Sequence, residues 1–203
     1  FFYWHVEVPG LLPGQLYGFR AYGPYEPAAG LRFDSSKLLL DPYGRAVAFP
    51  PAYDRAAAAR FGEDNAAVAP KSVVVDLSGY DWLQDAPPRR PWAQTVIYEL
   101  HPAGFTRHPN SGLPADRRGT FAGLAQKIPY LADLGITAVE LLPVFAFDPR
   151  DAPPGRTNYW GYSPLSFFAL HPFYSASRTS QGVLDEFRDM VRDFHRSGLE
   201  VIL

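Results

Sequence analysis

Tyr159, Trp160 and Tyr162 place three aromatic rings within four consecutive positions, around Gly161. Tyr and Trp join a flat apolar face to a hydrogen-bonding handle. A sugar ring offers the matching pair, C–H faces and a rim of hydroxyls. The cluster reads as a carbohydrate-binding surface. Phe167, Phe168 and Phe173 follow closely but lack the polar handle, and read as the packing of their own segment. Glu99 and Glu140 each interrupt an apolar run. Such a pair suits acid–base chemistry, or else a hydrogen-bonded structural role inside the fold. His101 reads as a hydrogen-bonded histidine of the scaffold rather than a catalyst. His5, His108, His171 and His195 show no metal-ligand spacing and read as surface or loop residues. There is no cysteine, which excludes thiolate nucleophiles, disulfides and thiolate zinc sites. No phosphate-binding glycine loop is present.

The elements that must hold these rings follow an alternating pattern after residue 92. Residues 95–100 form an apolar, β-branched run that predicts a strand. Thr120 can cap a helix whose apolar face is Phe121, Leu124, Ile128 and Leu131, ended by Gly135 and followed by a strand over 136–142. Leu184, Phe187, Val191, Phe194 and Gly198 repeat that spacing 63 residues later and lead into a strand at 199–203. Two helices, each ending in Gly and feeding an apolar strand, predict βα units of a parallel sheet with right-handed crossovers. Asp185, Glu186, Arg188, Asp189, Arg192 and Asp193 then read as the solvated side of an outer helix. The segment from 145 to 180 is far longer than the usual connection of about 2–6 residues. At the carboxyl ends of parallel strands, such a loop is where α/β folds put ligand sites.

Residues 1–85 read as all-β, with short strands at 16–22, 37–40 and 72–76 closed by Gly23-Pro24 and Asp41-Pro42, and one helical turn at 56–59. The aromatic start at 1–4 reads as the inside of a strand. Ala86-Pro87-Pro88-Arg89-Arg90-Pro91 marks 86–92 as a linker. The net charge of −2 argues against nucleic acid or an anionic membrane as main partner, and 47% hydrophobic residues argue against disorder. No run approaches the ~18 apolar residues of a membrane span, and no signal-type segment opens the chain. The absence of cysteine fits a cytoplasmic location. The one methionine is Met190, Phe1 is no translation start, and 199–203 is an apolar run without a turn, so the expectation is an internal fragment of a longer protein.

Several long motifs, in order along nearly the whole chain, resemble one family. Asn158-Tyr159-Trp160-Gly161-Tyr162-Ser163-Pro164 resembles the NYWGY segment of isoamylase-type and glycogen-debranching members of the α-amylase superfamily. Tyr17-Gly18-Phe19-Arg20-Ala21-Tyr22-Gly23-Pro24 is similar to their YGYRxxGP strand. Arg32-Phe33-Asp34 and Lys37-Leu38-Leu39-Leu40-Asp41-Pro42-Tyr43 are similar to their RFNxxKLLLDPY run. The segments 96–106 and 134–144 resemble their first two barrel strands. Pro102 and Ala103 depart from the pattern, which usually carries Lys or Arg two residues after the strand-one His.

The resemblance implies a multidomain β plus α/β fold. Residues 1–85 would be the C-terminal part of a carbohydrate-binding-like β-sandwich, and 93–203 the first three strands of a (β/α)8 TIM barrel. It implies retaining hydrolysis of α-1,6 branch points in a glycogen-like α-glucan, by an Asp nucleophile, a Glu acid/base and a second Asp on barrel strands four, five and seven. A whole barrel needs roughly 250 residues. By the resemblance no catalytic carboxylate falls within 1–203, and Leu203 stands just before the family's Asp and Asn-His of strand three. Tyr162 matches the tyrosine that stacks under the cleaved sugar, with Tyr159 and Trp160 as cleft walls. No metal or cofactor is expected. The alternatives are a 1,4-α-glucan branching enzyme and a noncatalytic glucan-binding piece; NYWGY and KLLLDPY favour debranching.

Overall fold

The computed structural model describes residues 5–203, so the strand expected at 1–4 lies outside the described residues. Among the described residues the amino-terminal part holds five short strands: β1 (Leu16–Tyr17), β2 (Tyr25–Glu26), β3 (Leu31–Arg32), β4 (Val47–Ala48) and β5 (Lys71–Val73). β1, β5 and β4 form one antiparallel sheet in that order, and β2 pairs with β3 alone. The expected strand at 37–40 is a loop, tied to its neighbours by a single Phe19–Leu39 bridge. Side chains have taken over its backbone bonding. The Leu38 amide donates to Asn65 Oδ1 at 2.7 Å, and the buried Lys37 ammonium donates to the carbonyls of Arg60 and Glu63. The expected turn near 56–59 is a 3-10 helix over Arg55–Ala59, with the Asp54 carboxylate accepting from Ala56 N at its start.

Beyond residue 92 come β6 (Ile97–Leu100), α1 (Gly104–Arg107), α2 (Phe121–Ala125), α3 (Ile128–Asp133), β7 (Ala138–Leu141), β8 (Phe145–Phe147), β9 (Pro164–Leu170), α4 (Ser180–Arg196) and β10 (Glu200–Ile202). β10, β7 and β6 lie parallel in that order, the βα sheet that the repeated spacing predicts. Gly135 at φ 84° and Gly198 at φ 74° end the two helical units in the left-handed conformation that glycine adopts without a Cβ penalty. The first unit is broken, however. Pro129 lacks an N–H and its ring crowds the carbonyl four residues back, so the chain restarts as α3 instead of continuing α2. α4 has no proline and runs unbroken for 17 residues from its Thr179 cap.

Strand alternation separates the two faces of the sheet. Tyr98, Leu100, Val139, Leu141 and Val201 pack against Phe121, Leu124, Leu131, Met190 and Phe194 of the helices, forming the main core. Each such Leu or Phe, once buried, contributes about 1.5–3 kcal/mol. Ile97, Glu99 and Glu140 take the opposite, open face.

The amino-terminal part lies against this sheet-and-helix unit. Val47 joins Ala146 and Ala169 in a small second core. The charged side of α4 is partly covered rather than wholly solvated: Tyr80 donates to Asp189 Oδ1 at 2.8 Å beneath the guanidinium groups of Arg188 and Arg192, and Asp85 sits 2.7 Å from His195, while the Asp185 and Asp189 carboxylates stay partly open. Glu186 accepts from the Ala122, Ala176 and Ser177 amides and from the Ser175 hydroxyl, fixing α2 and the approach to α4 in place. The proline-rich segment is fastened as well, since Arg90 bonds Glu200 and the Gly198 carbonyl.

Candidate functional site

The long segment after β7 opens with a hairpin. β8 pairs antiparallel with β9 through an irregular register, and the ring cluster forms the connection between them. Asn158 shapes that connection. Its Oδ1 accepts from Gly161 N at 3.1 Å and its Nδ2 donates to Tyr162 O at 2.8 Å. Gly161 has φ 80°, and a Cβ there would come within 3.1 Å of the Phe147 ring. Both conformation and space therefore demand glycine.

The three rings take different seats. Tyr159 lies flat on His101, centroids 4.3 Å apart and planes 6° apart. Its hydroxyl occupies the space a Cβ at position 104 would need. His101 is fixed from both sides of its ring. Nδ1 accepts the Ala103 and Gly104 amides at 3.1 and 2.9 Å, so Nε2 carries the proton and donates to Tyr159 O at 2.8 Å. Burial lowers its pKa below the ordinary histidine value, which keeps this neutral form. The departures at Pro102 and Ala103 are buried beneath it, and the Ala103 amide serves the histidine. Tyr174 closes the group edge-on to His101, its hydroxyl pushed up to about pKa 12 by burial.

Tyr162 is 54% exposed and lines a cleft of about 210 Å³ with Glu99, Glu140, Pro143, Phe145 and Leu203. These residues stand at the carboxyl ends of β6, β7 and β10 or on the open face just below. Trp160 is exposed beside the cleft, its ring 6.3 Å from that of Tyr162. Of the three candidate rings, Tyr162 lines the cleft, Tyr159 is engaged with His101, and Trp160 projects from the rim. Glu99 and Glu140 stand opposite each other in the β6–β7 register, exposed. Among the described residues neither side chain has a hydrogen-bond partner.

Two expectations need correction. Phe167, Phe168 and Phe173 are exposed; for Phe167 and Phe168 the reason is that the irregular pairing of β9 turns Ser166 and Ala169 inward instead. Phe168 packs outward on Tyr43 under Arg45. His171 is fully buried, ringed by Phe49, Phe147, Phe173 and Tyr174, with Nδ1 accepting Phe173 N at 3.2 Å. Burial takes its pKa down to about 4. His195, also placed at the surface by sequence reasoning, is the partner of Asp85. Asn158 was visible only as part of a motif; its spacing three residues before a glycine was the local signal of its turn-making role.

Among the described residues no three His, Asp or Glu side chains gather as a metal site, and no helix is long and apolar enough to cross a membrane. The family model of the α-amylase catalytic domain matches residues 98–203. The chain is 50% identical to the glycogen debranching enzyme of Salmonella typhi, over 98% of this chain and 31% of that protein. It therefore spans about a third of the length of the curated relatives it matches. Among solved structures it resembles the Group B Streptococcus pullulanase in complex with maltotetraose, at 28% identity and TM-score 0.55, over 82% of this chain and 22% of that one. It also resembles a multi-modular glycogen-degrading pneumococcal virulence factor, at 27% identity and TM-score 0.58, over 82% of this chain and 18% of that one.

Proposed function

The chain belongs to the α-amylase family, and on that premise we propose that it is part of a debranching hydrolase that cleaves α-1,6 bonds of a glycogen-like α-glucan with retention. In this reading residues 93–203 supply the first three strands of a (β/α)8 barrel. Residues 1–85 are the C-terminal part of a carbohydrate-binding-like β-sandwich, with 86–92 as linker. The nucleophile and acid/base come from later barrel strands.

The observation that carries the reading is Tyr162, an exposed ring beside a cleft at the carboxyl ends of three parallel strands, where barrel enzymes keep their substrates. Tyr162 stacks beneath a sugar and fixes its plane, while Tyr159 and Trp160 bound the approach. His101 takes no part in proton transfer, because both its nitrogens are committed to backbone groups. The 50% identity to a debranching enzyme over 98% of the chain supports an α-glucan as the substrate class.

The test uses the full-length protein. It is expected to release linear chains from a branched α-glucan and to lose kcat/KM in Tyr162→Ala. Formation of new α-1,6 branches would replace hydrolysis by glucan transfer. Unchanged kinetics in the variant would remove Tyr162 from the site.

A further inference from the structure

The ring-bearing segment is anchored at its base by Asp148, a carboxylate only 3% exposed. A charge at that depth is tolerated only when it is paired and hydrogen-bonded. Both partners come from the amino-terminal part. Tyr53 donates its hydroxyl to Asp148 Oδ2 at 2.7 Å, and Arg55 Nε lies 2.8 Å from the same oxygen. Arg55 also reaches Asp151 at 2.9 Å. Arg150 covers the Tyr53 ring and donates to the Tyr53 carbonyl, while its own amide donates to Asp148 Oδ1 at 2.8 Å. Burial and the Asp148 carboxylate push the Tyr53 hydroxyl well above its ordinary pKa, so it remains a donor.

From this anchor a bonded path leads to the rings. The Asp151 amide donates to Asp148 O at 3.1 Å, and the Asn158 amide donates to Pro149 O at 3.0 Å, drawing the segment 149–158 into a closed loop. Asn158 then sets Gly161 and Tyr162 through its side chain. We propose that Asp148, held by Tyr53 and Arg55, is a positioning residue for the ring group 159–162, so that the amino-terminal part acts on the glucan site as a strut. For its substrate the inference rests on the function proposed above; for the strut it does not.

Two readouts on the full-length protein test it, using Tyr53→Phe, which removes one hydroxyl and keeps the ring, and Asp148→Asn. Without glucan, amide exchange over 158–163 is expected to accelerate about tenfold while the amides of β6 and β7 keep their protection. Equal protection over 158–163, or an equal acceleration in β6 and β7, would overturn the strut. With a branched α-glucan, each variant is expected to raise KM about tenfold with kcat within about twofold, and Tyr53→Phe combined with Tyr162→Ala should lose no more than Tyr162→Ala alone. Additive losses would also overturn it. If Tyr162→Ala leaves both constants unchanged, the glucan reading fails while exchange still decides the strut.

Discussion

Tyr162 and His171 show how differently one side chain can matter here. Removing the Tyr162 ring takes away a stacking platform, with an expected loss of about 1–3 kcal/mol in kcat/KM by the scale of ring stacking on bases, read from steady-state kinetics of Tyr162→Ala. Gly161→Ala should cost a comparable amount while leaving the Tyr162 ring in the chain, since a methyl there meets the Phe147 ring in an unfavourable backbone region. His171 governs stability instead. Its native pKa is about 4 against 6.5 when unfolded, so the unfolded chain binds the proton more readily. Stability is complete above about pH 6.5 and falls as pH drops toward 4, by on the order of 3 kcal/mol. Denaturant titrations of the full-length protein across that range should show the decline, and His171→Leu should flatten it. Nothing local marks His171 for burial. Phe49 lies more than a hundred residues away in the chain, and a single sequence carries no record of that meeting.

Most elements with local signals were legible. The matched apolar spacing and the glycines at 135 and 198 predict both helical units and the parallel strands that follow them. Thr120, read as a helix cap, does accept from Gly123 N at 3.0 Å, and Thr179 caps α4 in the same way, its hydroxyl accepting from Gly182 N at 3.1 Å. Thr179→Ala should cost about 1 kcal/mol, seen as a lowered thermal midpoint. The break between α2 and α3 was also local, since Pro129 stands in plain view, but the unbroken apolar stripe concealed it. The covering of α4 was not legible. Its charges look solvated until Tyr80 and Asp85 are brought from about a hundred residues upstream. The hairpin within 145–180 was hidden for another reason: irregular pairing between β8 and β9 erases the strict alternation by which strands are read.

For the whole molecule, the open face of the β6–β7–β10 sheet bears on any work with residues 1–203 alone. Ile97 and Leu203 are exposed there, together with Glu99 and Glu140. This polypeptide is expected to scatter light on concentration, to bind a hydrophobic dye, and to release no reducing sugar from a branched glucan. Measurable release would show that the chemistry needs no carboxylate from outside the span. The contacts of Tyr80 with Asp189, 109 residues apart, also carry a consequence for biosynthesis. A ribosome working at roughly 5–20 residues per second delivers the second partner roughly 5–20 s after the first. Throughout that interval the early segment waits beside the exit tunnel with its aromatic ring uncovered, a natural client for whatever chaperone is at hand.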